Sequence, residues 1–512
     1  MRQRKHWGWG FADEQPSLDE LRAAAAGIGE VFGFGPRDVE EPVALEAATL
    51  PPPRVEGAPF ADVSAHARAT HAWGKSYSDV VRGFRGDFRH APDAVLHPQD
   101  EHEVEQALEW AAANDVAVVP YGGGTSVVGG VTPMVDGPAV SLDLHKLDRV
   151  LEVDPVSRAA RIQAGAFGPA LEAQLGEHGM TLRHFPQSFE LSTLGGWVAT
   201  RAGGHFATVE THIDDLVESI RAITPSGTWE SRRLPGSGAG PSPDRLLLGS
   251  EGILGVITEA WVRVRPRPRH RRSAGVAFGD FLRGAEAVRE LSQSGLHPSN
   301  CRLIDPLEAR YTGTGDGSSA MLVLGFESAD HPVDAWMERA LEIVRGHGGE
   351  AEERDGGGAV GSWRTAFLRA PYFRDTFVAV GVLSDTFETA ITWERFPAFH
   401  ESVMTAAREA AGERAHVSCR FTHVYPDGPA PYYTVIAPAE RGDEVAQWAA
   451  IKAAASDAVI AAGGTITHHH AVGRDHRPWY DRQRPDPFAA ALRGAKDAVD
   501  PRGILNPGVL ID

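Results

Sequence analysis

The order of elements that leads into a glycine-rich loop constrains the fold of this chain more than any other feature. Residues 94–97 are predicted to form a short strand, and residues 100–111 an amphipathic helix with apolar side chains on one face. Residues 116–120 have the apolar run of a buried strand, and the segment YGGGTS at 121–126 follows directly. Strand, helix, strand and glycine loop together indicate the start of an α+β nucleotide-binding domain.

The glycine loop has the composition of a phosphate cradle. Consecutive glycines allow backbone N–H groups to converge on a pyrophosphate, because no Cβ atom intervenes. Thr125 and Ser126 add hydroxyl groups that can donate to phosphate oxygens. The spacing matches neither the GxGxxG fingerprint of a Rossmann domain nor a Walker loop. Taken alone, the loop is equally compatible with an ordinary glycine-rich turn.

Length, charge and cysteine content exclude several classes of protein. At 512 residues the chain is too long for one core, so two or three domains are expected. A formal net charge of −19 argues against non-specific nucleic-acid binding and against a basic membrane-binding patch. With only two cysteines, Cys301 and Cys419, a disulfide scaffold is excluded and a reducing compartment is expected.

The sequence also predicts a cytoplasmic location. The basic N-terminal residues are not followed by the apolar stretch of a secretory signal. No segment reaches the roughly 18 uninterrupted apolar residues that a membrane-spanning helix needs. We therefore expect a cytoplasmic protein.

Changes in composition divide the chain into four segments. The tract at 266–272, PRPRHRR, favours an exposed linker, so a domain boundary is placed there. Residues 356–358, three glycines, predict an exposed loop. The four predicted segments are a helical and irregular N-terminal part (residues 1–89), the nucleotide-binding domain (90–270), a second α+β domain (271–440) and a mainly helical C-terminal part (441–512).

Three consecutive histidines near the C-terminal end are the clearest candidates for chemistry. The rings of His468, His469 and His470 are polar groups that must be solvated, hydrogen-bonded or used. Histidine suits proton transfer because its unperturbed pKa lies close to neutral. In a strand, His469 would face away from the other two. A solvated surface cluster or an incidental metal site is the alternative, and the glycine loop upstream favours a catalytic role.

Three further segments make the pattern specific to a known family. They are residues 186–204 (PQSFELSTLGGWVATRAGG), 248–258 (LGSEGILGVIT) and 499–501 (VDP). Together with the glycine loop, they resemble the FAD-binding domain of the vanillyl-alcohol-oxidase, or PCMH, type. The resemblance implies an α+β fold in which the FAD-binding domain has two α+β subdomains, accompanied by a separate α+β substrate (cap) domain and a helical C-terminal segment.

The resemblance also implies how FAD is bound. The glycine loop would hold the pyrophosphate, the second segment would line the ribityl chain and flavin, and the third would lie on the adenosine side. Some relatives attach the flavin through a histidine just after the glycine loop; Thr125 and Ser126 stand there, so non-covalent FAD is expected. His184 is equally compatible with a core position. The implied cofactor-binding residues are Pro120, Tyr121, Gly122, Gly123, Gly124, Thr125, Ser126, His184, Gln187, Ser188, Ser192, Thr193, Gly195, Gly196, Thr200, Arg201, Ala202, Gly203, Glu251, Gly252, Gly255, Val256 and Ile257.

Five segments narrow the resemblance to one branch, the alkyldihydroxyacetonephosphate (alkylglycerone-phosphate) synthases. They are WGWG at 7–10, TLGGWVATRA at 193–202, Arg374-Asp375 with LSDTFET at 383–389 and Trp393, CRFTHVY at 419–425 with Tyr432, and GGTITHHHAVG at 463–473. Members of this branch exchange the acyl group of acyl-dihydroxyacetone phosphate for a fatty alcohol, without net redox. The resemblance therefore implies a lipid phosphate and a fatty alcohol as substrates, a homodimer, peripheral membrane contact for lipid access, and no metal.

The reaction of this branch explains the residues that the resemblance assigns. A proton must leave and return at the carbon beside the ketone, which requires a positioned acid and base. Tyr432 and the three histidines are assigned this role, and a neighbouring imidazolium would lower the pKa of Tyr432. Arg374 is assigned to the substrate phosphate because a guanidinium is a permanently charged fork. Thr386, Arg302 and Arg420 are placed near the substrate.

Other interpretations stay open from the residues alone. Arg374 could form a surface ion pair with Asp375, Arg420 could merely support the site, and Tyr432 could be strand core. A D-2-hydroxy-acid dehydrogenase or oxidase of the same fold is the second function, with the histidines binding a divalent metal that orients a carboxylate. A flavin-binding module without catalysis is the third. The apolar tunnel that long alkyl chains require is not located by the sequence.

Overall fold

The computed structural model describes residues 2–353 and 359–511, so the loop expected at 356–358 lies outside the described residues. The helices are α1 (Leu18–Val31), α2 (Ala65–Thr70), α3 (Tyr77–Phe84), α4 (Glu101–Ala113), α5 (Gly168–Glu177), α6 (Leu194–Thr200), α7 (Asp244–Leu247), α8 (Phe281–Gln293), α9 (Pro306–Tyr311), α10 (Asp334–Gly346), α11 (Ala359–Ala379), α12 (Phe396–Ala411), α13 (Glu444–Ala461), α14 (Arg477–Gln483) and α15 (Asp486–Val499). The strands are β1 (Ala61–Asp62), β2 (Ala94–Leu96), β3 (Ala117–Tyr121), β4 (Ala139–Asp143), β5 (Val150–Asp154), β6 (Ala159–Gln163), β7 (Met180–Thr181), β8 (Val217–Thr224), β9 (Gly227–Glu230), β10 (Val256–Arg263), β11 (Arg265–Pro266), β12 (His270–Phe278), β13 (Asn300–Ile304), β14 (Ala320–Ser328), β15 (Glu350–Glu353), β16 (Val382–Glu388), β17 (His416–Val424) and β18 (Pro429–Pro438).

Two sheets build the nucleotide-binding part of the chain, and the glycine loop follows β3 of the first sheet. The first sheet has the order β1-β2-β4-β3, with β2, β4 and β3 parallel. Helix α4 packs Val104, Leu108 and Ala111 into its core, the face predicted from the sequence. The second sheet has the order β5-β6-β10-β8-β9 and is antiparallel. The predicted order of strand, helix, strand and glycine loop is confirmed.

A seven-stranded antiparallel sheet forms the centre of the second half of the chain, which we call the cap. Its order is β15-β12-β14-β13-β17-β18-β16. Helices α8, α10, α12 and α13 cover one face and share one hydrophobic core with the strands. The opposite face therefore remains available for a site, because side chains alternate between the two faces of a sheet.

The two ends of the chain pack against different parts of the molecule. Trp7, Leu21 and Phe84 belong to the hydrophobic core of the cap, although they precede the nucleotide-binding part in sequence. The final residues instead extend the first sheet, where Leu505 bridges Val118 in β3. The C-terminal part contains α13, α14 and α15 as predicted, but the three histidines between α13 and α14 lie in neither a helix nor a strand.

Fewer residues of the tract at 266–272 form a linker than the sequence predicts. Strand β11 ends at Pro266 and pairs with β7, and β12 begins at His270 and pairs with β14. Backbone pairing leaves only residues 267–269 between the sheets. Among the described helices, none is both long and apolar enough to cross a membrane.

Replacing Phe84 tests whether the N-terminal segment is part of the cap core. Phe84 is 1% exposed within that core, and truncating such a side chain costs about 3–5 kcal/mol. We expect Phe84→Ala to lower the free energy of unfolding by this amount, measured by urea denaturation. Phe488→Ala is the control, because Phe488 is 47% exposed and should change the value by less than about 0.5 kcal/mol. Equal losses in the two variants would contradict the packing.

Candidate active site

A cavity of about 1020 Å³ lies between the glycine loop and the free face of the cap sheet. Its volume is at the upper end of the range of about 300–1,000 Å³ that is typical of ligand pockets. The walls come from the glycine loop, α6, the segment at 251–257, the cap sheet, α11 and α1. The space is therefore large enough for an extended ligand that reaches from one half of the chain to the other.

The glycine loop fits the pyrophosphate that the sequence predicts for it. A Cβ atom on Gly122 would overlap Thr193 Oγ1, and one on Gly123 would overlap the carbonyl of Leu191. Gly124 has a φ of +66°, which favours glycine. Close packing on the 191–193 segment thus requires glycine here and leaves the loop backbone as a wall of the cavity.

Most residues predicted to bind the cofactor line this cavity. His184, Arg201 and Val256 are the exceptions and lie outside its wall. The residues on the wall are Pro120, Tyr121, Gly122, Gly123, Gly124, Thr125, Ser126, Gln187, Ser188, Ser192, Thr193, Gly195, Gly196, Thr200, Ala202, Gly203, Glu251, Gly252, Gly255 and Ile257.

The side chains of His184, Arg201 and Val256 make contacts elsewhere in the protein. His184 is buried with its ring centroid 5.2 Å from that of Trp197, and burial lowers its pKa to about 3. Arg201 has a left-handed backbone and forms an ion pair with Asp214 at 2.7 Å. Val256 is fully buried in the core of the first sheet. The structure therefore does not bring these three side chains to the cavity.

Strand alternation in the cap places the predicted substrate residues on the cavity side. On β17, Cys419 enters the helix-covered core while Arg420 lines the cavity. On β18, Tyr433 enters the same core while Tyr432 lines the cavity, directly opposite Arg420 in the register. Thr386 on β16 lies beside them. Tyr432 is thus a cavity residue and not strand core.

Tyr432 is held by contacts on its ring and on its hydroxyl group. The Arg420 guanidinium carbon lies 3.8 Å from the ring centroid, and the hydroxyl donates to Thr386 Oγ1 at 2.9 Å. Burial raises the pKa of Tyr432, although Arg420 and the Thr386 hydroxyl oppose the shift. The phenol is therefore protonated at neutral pH. The lowering of this pKa that an imidazolium would cause is not found.

Three arginines line this end of the cavity, and two of them lie beside carboxylates. Arg420 is paired with buried Glu308, and Arg374 donates to the carbonyl of Lys75 and lies 3.7 Å from Asp385. Arg302 donates to Asn300 Oδ1 and to the carbonyl of His205. In the described part of the chain no carboxylate lies within ion-pair distance of Arg302, and burial lowers its pKa to about 10. An anionic ligand would balance this charge.

Arg374 does not form the surface ion pair with Asp375 that the sequence left open. Asp375 is buried and pairs with Lys5 at 2.9 Å. It also accepts from the backbone N–H of Trp9, and a Cβ atom on Gly8 would overlap it. The WGWG segment therefore holds Asp375, and Arg374 is left to face the cavity.

One buried carboxylate organises the three histidines. Glu388, at the end of β16, accepts from the backbone N–H of His468 at 2.6 Å, of His469 at 3.1 Å and of His470 at 2.8 Å. It also accepts from Thr467 Oγ1 at 2.6 Å. Burial raises the pKa of Glu388, but the histidine segment, through its three backbone N–H groups, and the Thr467 hydroxyl outweigh burial and hold the pKa well below its usual value. Glu388 is therefore ionised.

A second buried carboxylate binds the next turn of the same segment. Glu251 accepts from the backbone N–H of Val472 at 3.0 Å and of Gly473 at 2.9 Å. Burial raises its pKa to about 7, although these two bonds oppose the shift. Glu251 lines the cavity as predicted, whereas no sequence pattern indicated its bonds to the histidine segment.

The imidazoles themselves are neutral, and those of His468 and His469 are hydrogen-bonded to each other. His468 Nδ1 lies 3.1 Å from His469 Nδ1, and its Nε2 lies 2.7 Å from the hydroxyl of Tyr425, which in turn contacts Thr211. Burial lowers the pKa of all three histidines of the triplet, and Glu388 only partly offsets it. His469 and His470 line the cavity, whereas His468 lies behind them. Neutral rings at the wall can accept a proton.

Sequence reasoning missed the residues that support this wall. Glu388, Tyr425 and His423 stand in segments that carried the family resemblance, but no role was assigned to them. His423 lies beside the triplet, with a ring nitrogen within 4.8 Å of those of His468 and His469. Three successive backbone N–H groups need acceptors when they are buried. This need is the signal that could have indicated a carboxylate.

Comparisons with known proteins agree with this geometry. Residues 92–231 match the family described as "FAD binding domain", and residues 267–510 match "FAD linked oxidases, C-terminal domain". The fold and the site thus define a flavoprotein of the FAD-linked oxidase class, with FAD as its cofactor. The predicted fold class is confirmed.

Relatives narrow the class to one family. The alkyldihydroxyacetonephosphate synthase of Dictyostelium discoideum is 31% identical over 476 residues, covering 87% of this chain and 77% of the relative. The enzyme of Caenorhabditis elegans is 32% identical, covering 88% and 81%. A solved alkyldihydroxyacetonephosphate synthase structure superposes with a TM-score of 0.81 at 26% identity, covering 98% and 97%. The chain belongs to the alkyldihydroxyacetonephosphate synthase family.

Replacing Glu388 by glutamine tests whether its charge stabilises the histidine segment. The folded pKa lies below the unfolded value of about 4.3, so ionised Glu388 stabilises the fold above that pH and the stabilisation is lost as pH falls further. We expect Glu388→Gln to lower the free energy of unfolding at pH 7 by about 2 kcal/mol or more. The difference from the unsubstituted protein should narrow below about pH 4.3 in urea titrations.

Glu251→Gln is the matched control with the opposite sign. Its folded pKa of about 7 lies above the unfolded value, so ionisation costs the folded state stability as pH rises from about 4.3 to about 7. The glutamine variant should gain stability relative to the unsubstituted protein over that range. Parallel pH profiles for the two variants would contradict the assignment of the two carboxylates.

Proposed function

We propose that the protein exchanges the acyl group of an acyl-dihydroxyacetone phosphate for a fatty alcohol and forms an ether-lipid precursor without net redox. The observation that carries the proposal is the composition of one cavity wall. Neutral histidines, a protonated tyrosine and a cluster of arginines face a flavin-sized space that continues into an apolar arm. The arginines suit a phosphate, the histidines and the tyrosine suit proton transfer beside a ketone, and the apolar arm suits a long alkyl chain.

The acid and base of the exchange are supplied by groups whose protonation states differ. His469 and His470 are neutral and can accept the proton from the carbon beside the ketone. Tyr432 is protonated and can return a proton. His468 acts behind them by accepting or donating through its contacts with His469 and Tyr425. Two kinds of titratable group with opposite protonation suit a reaction that removes and restores a proton.

The substrate phosphate is assigned to Arg374, within the field of Arg302 and Arg420. All three guanidinium groups belong to side chains on the cavity wall. Arg302 has no carboxylate partner among the described residues, so the region holds uncompensated positive charge. A dianionic phosphate is favoured in such surroundings, while Thr386 offers a hydroxyl group near Tyr432.

An apolar arm of the cavity is available for the acyl and alkyl chains. Helix α1 supplies Leu21 and Ile28 to the wall, and Phe377 and Ile436 from the cap also line it and share a hydrophobic cluster with Ile28. The sequence required such a tunnel without locating it. Contact of a single long chain with these side chains would be favoured by the hydrophobic effect, at about 25 cal/mol per Å² of buried apolar surface.

The flavin, when bound, supplies the ring nitrogen through which this family is understood to hold its substrate while the acyl group leaves. The residues around the space fit such a group, because the glycine loop excludes Cβ atoms and His470 Nδ1 is a buried ring nitrogen without a hydrogen-bond partner in the described part of the chain. We propose non-covalent FAD, since Thr125 and Ser126 follow the loop.

The cavity mouth supports a proposal of peripheral membrane contact. Val31 and Phe373 line the cavity and are 44% and 48% exposed, and Leu18 at the start of α1 is 38% exposed. Apolar side chains at an opening into an apolar arm would give a lipid substrate a direct route from a bilayer. A homodimer and a cytoplasmic location stay predictions of the sequence.

Arg374→Ala tests the phosphate assignment. Removal of a charge-assisted bond to phosphate should weaken binding of acyl-dihydroxyacetone phosphate by about 1.5–3 kcal/mol, roughly 10- to 150-fold. The flavin absorption spectrum during a titration with this substrate gives the affinity. Arg369→Ala is the control, because Arg369 lies at the exposed part of the same wall. Unchanged affinity in Arg374→Ala, or an equal loss in the control, removes Arg374 from the phosphate site.

Tyr432→Phe tests the proton donor. Loss of a positioned general acid should lower the turnover number by roughly 10²- to 10⁴-fold, with FAD content unchanged. Tyr433→Phe is the matched control, because the side chain of this neighbour on the same strand faces the core. Similar turnover in the two variants would exclude Tyr432 from the chemistry.

The reaction itself is tested by supplying labelled fatty alcohol and acyl-dihydroxyacetone phosphate to the FAD-bound protein. We expect the label to enter an ether product while the flavin stays oxidised and no oxygen is consumed. Bleaching of the flavin by D-lactate or 2-hydroxyglutarate, without incorporation of alcohol, would contradict the proposal and favour a D-2-hydroxy-acid dehydrogenase. His423, His468 and His469 would then be the candidates for a metal that orients a carboxylate.

A further inference from the structure

A second cluster of histidines lies outside the cavity, at the carboxyl ends of two parallel strands. Leu96 of β2 stands opposite Leu142 of β4, so the following residues, His97 and Asp143, emerge side by side at the edge of the first sheet. His145 follows two residues later. None of these three side chains lines the cavity.

Three imidazole nitrogens converge on one oxygen of Asp143. The distances to Oδ2 are 3.0 Å from His145 Nδ1, 3.2 Å from His71 Nε2 and 3.6 Å from His97 Nδ1. For His97, Asp143 and His145 the donor atoms all lie within 4.8 Å of one another. Bonds of about 2.0–2.1 Å around a tetrahedral zinc ion imply spacings of about 3.3 Å between its ligand atoms. The distances of His145 Nδ1 and His97 Nδ1 from Asp143 Oδ2, 3.0 and 3.6 Å, lie on either side of that value.

The hydrogen bonds of His71 leave a lone pair directed at this carboxylate. Its Nδ1 lies 2.7 Å from the carbonyl oxygen of Ala67, which can only accept, so Nδ1 carries a proton. In a neutral ring Nε2 is then an acceptor that faces another acceptor, Asp143 Oδ2. A cation between them, either a second proton on the ring or a metal ion, removes this conflict. A backbone bond from the other ring nitrogen is typical of metal-bound histidine.

Two further buried ring nitrogens of the cluster also favour a metal ion. Nδ1 of His97 and Nδ1 of His145 are buried and, within the described part of the chain, have no partner that meets hydrogen-bond geometry. Asp143 Oδ1 accepts from the backbone N–H of His145 at 3.0 Å, which fixes the carboxylate. Buried imidazole nitrogens that face a fixed carboxylate are a donor set suited to zinc.

We propose that His97, Asp143 and His145 bind a zinc ion, with His71 beside the ligating carboxylate. The site is structural, because it ties the end of β2 to the end of β4 and to the residues that follow β4. It also lies behind the phosphate loop, since the centroid of the His71 ring is 4.1 Å from that of Tyr121, which lines the cavity. Protons compete with the metal for the imidazoles, so zinc binds more weakly as pH falls.

Metal analysis of the FAD-bound protein tests the proposal. Protein stripped with EDTA is dialysed against Zn²⁺ at pH 7.5, and bound zinc is counted by mass spectrometry. The test variant combines His97→Gln and His145→Gln, whose side chains are 20% and 19% exposed and should tolerate the change. We expect this variant to bind one zinc ion fewer per chain than the unsubstituted protein, and to lose the rise in thermal midpoint that zinc causes.

Two controls separate this cluster from other histidines. His102→Gln changes an exposed histidine outside the cluster and should leave the zinc content unchanged. His468→Gln removes a member of the active-site cluster and should not affect the ion assigned here. FAD content verifies that each variant is folded. No bound zinc in the unsubstituted protein, or an equal zinc content in the double variant, would overturn the proposal.

Discussion

Two buried carboxylates that bind the backbone of residues 468–473 determine where the histidines can act. Glu388 comes from the cap sheet and Glu251 from the nucleotide-binding part, so the segment between α13 and α14 is held from both halves of the chain. The segment has no regular secondary structure, and its backbone N–H groups would otherwise be buried without acceptors. Fixing the backbone sets the positions of the imidazoles without using their ring nitrogens.

Burial then decides the protonation states around the cavity. It keeps the histidines neutral and Tyr432 protonated, while ionised Glu388 is stabilised by the segment that it binds. The same sheet carries the buried arginines, because alternate residues of β13, β17 and β18 face the cavity. Proton-transfer groups and positive charge are thus brought together on one wall by strand geometry, with a hydrophobic core on the other face.

Local patterns predicted the elements well, and long-range contacts less so. The glycine loop, α4 and β3 follow from residue order and apolar spacing, and Tyr432, His469 and His470, which the family resemblance assigned, line the cavity. Glu388 was missed because its role depends on contact with residues about 80 positions away. The packing of α1 along the apolar arm and of Arg201 on Asp214 likewise depends on tertiary contacts that no local pattern encodes.

A crystal structure of the FAD-bound protein tests the account most directly, because it measures where the isoalloxazine ring lies relative to the segment that Glu388 and Glu251 hold. The account predicts that the ring packs within van der Waals contact, about 4 Å, of Tyr432 or His469, with both carboxylates still bound to the segment. A ring bound beyond the reach of these side chains, or a histidine segment released from Glu388 in the flavin complex, would contradict it.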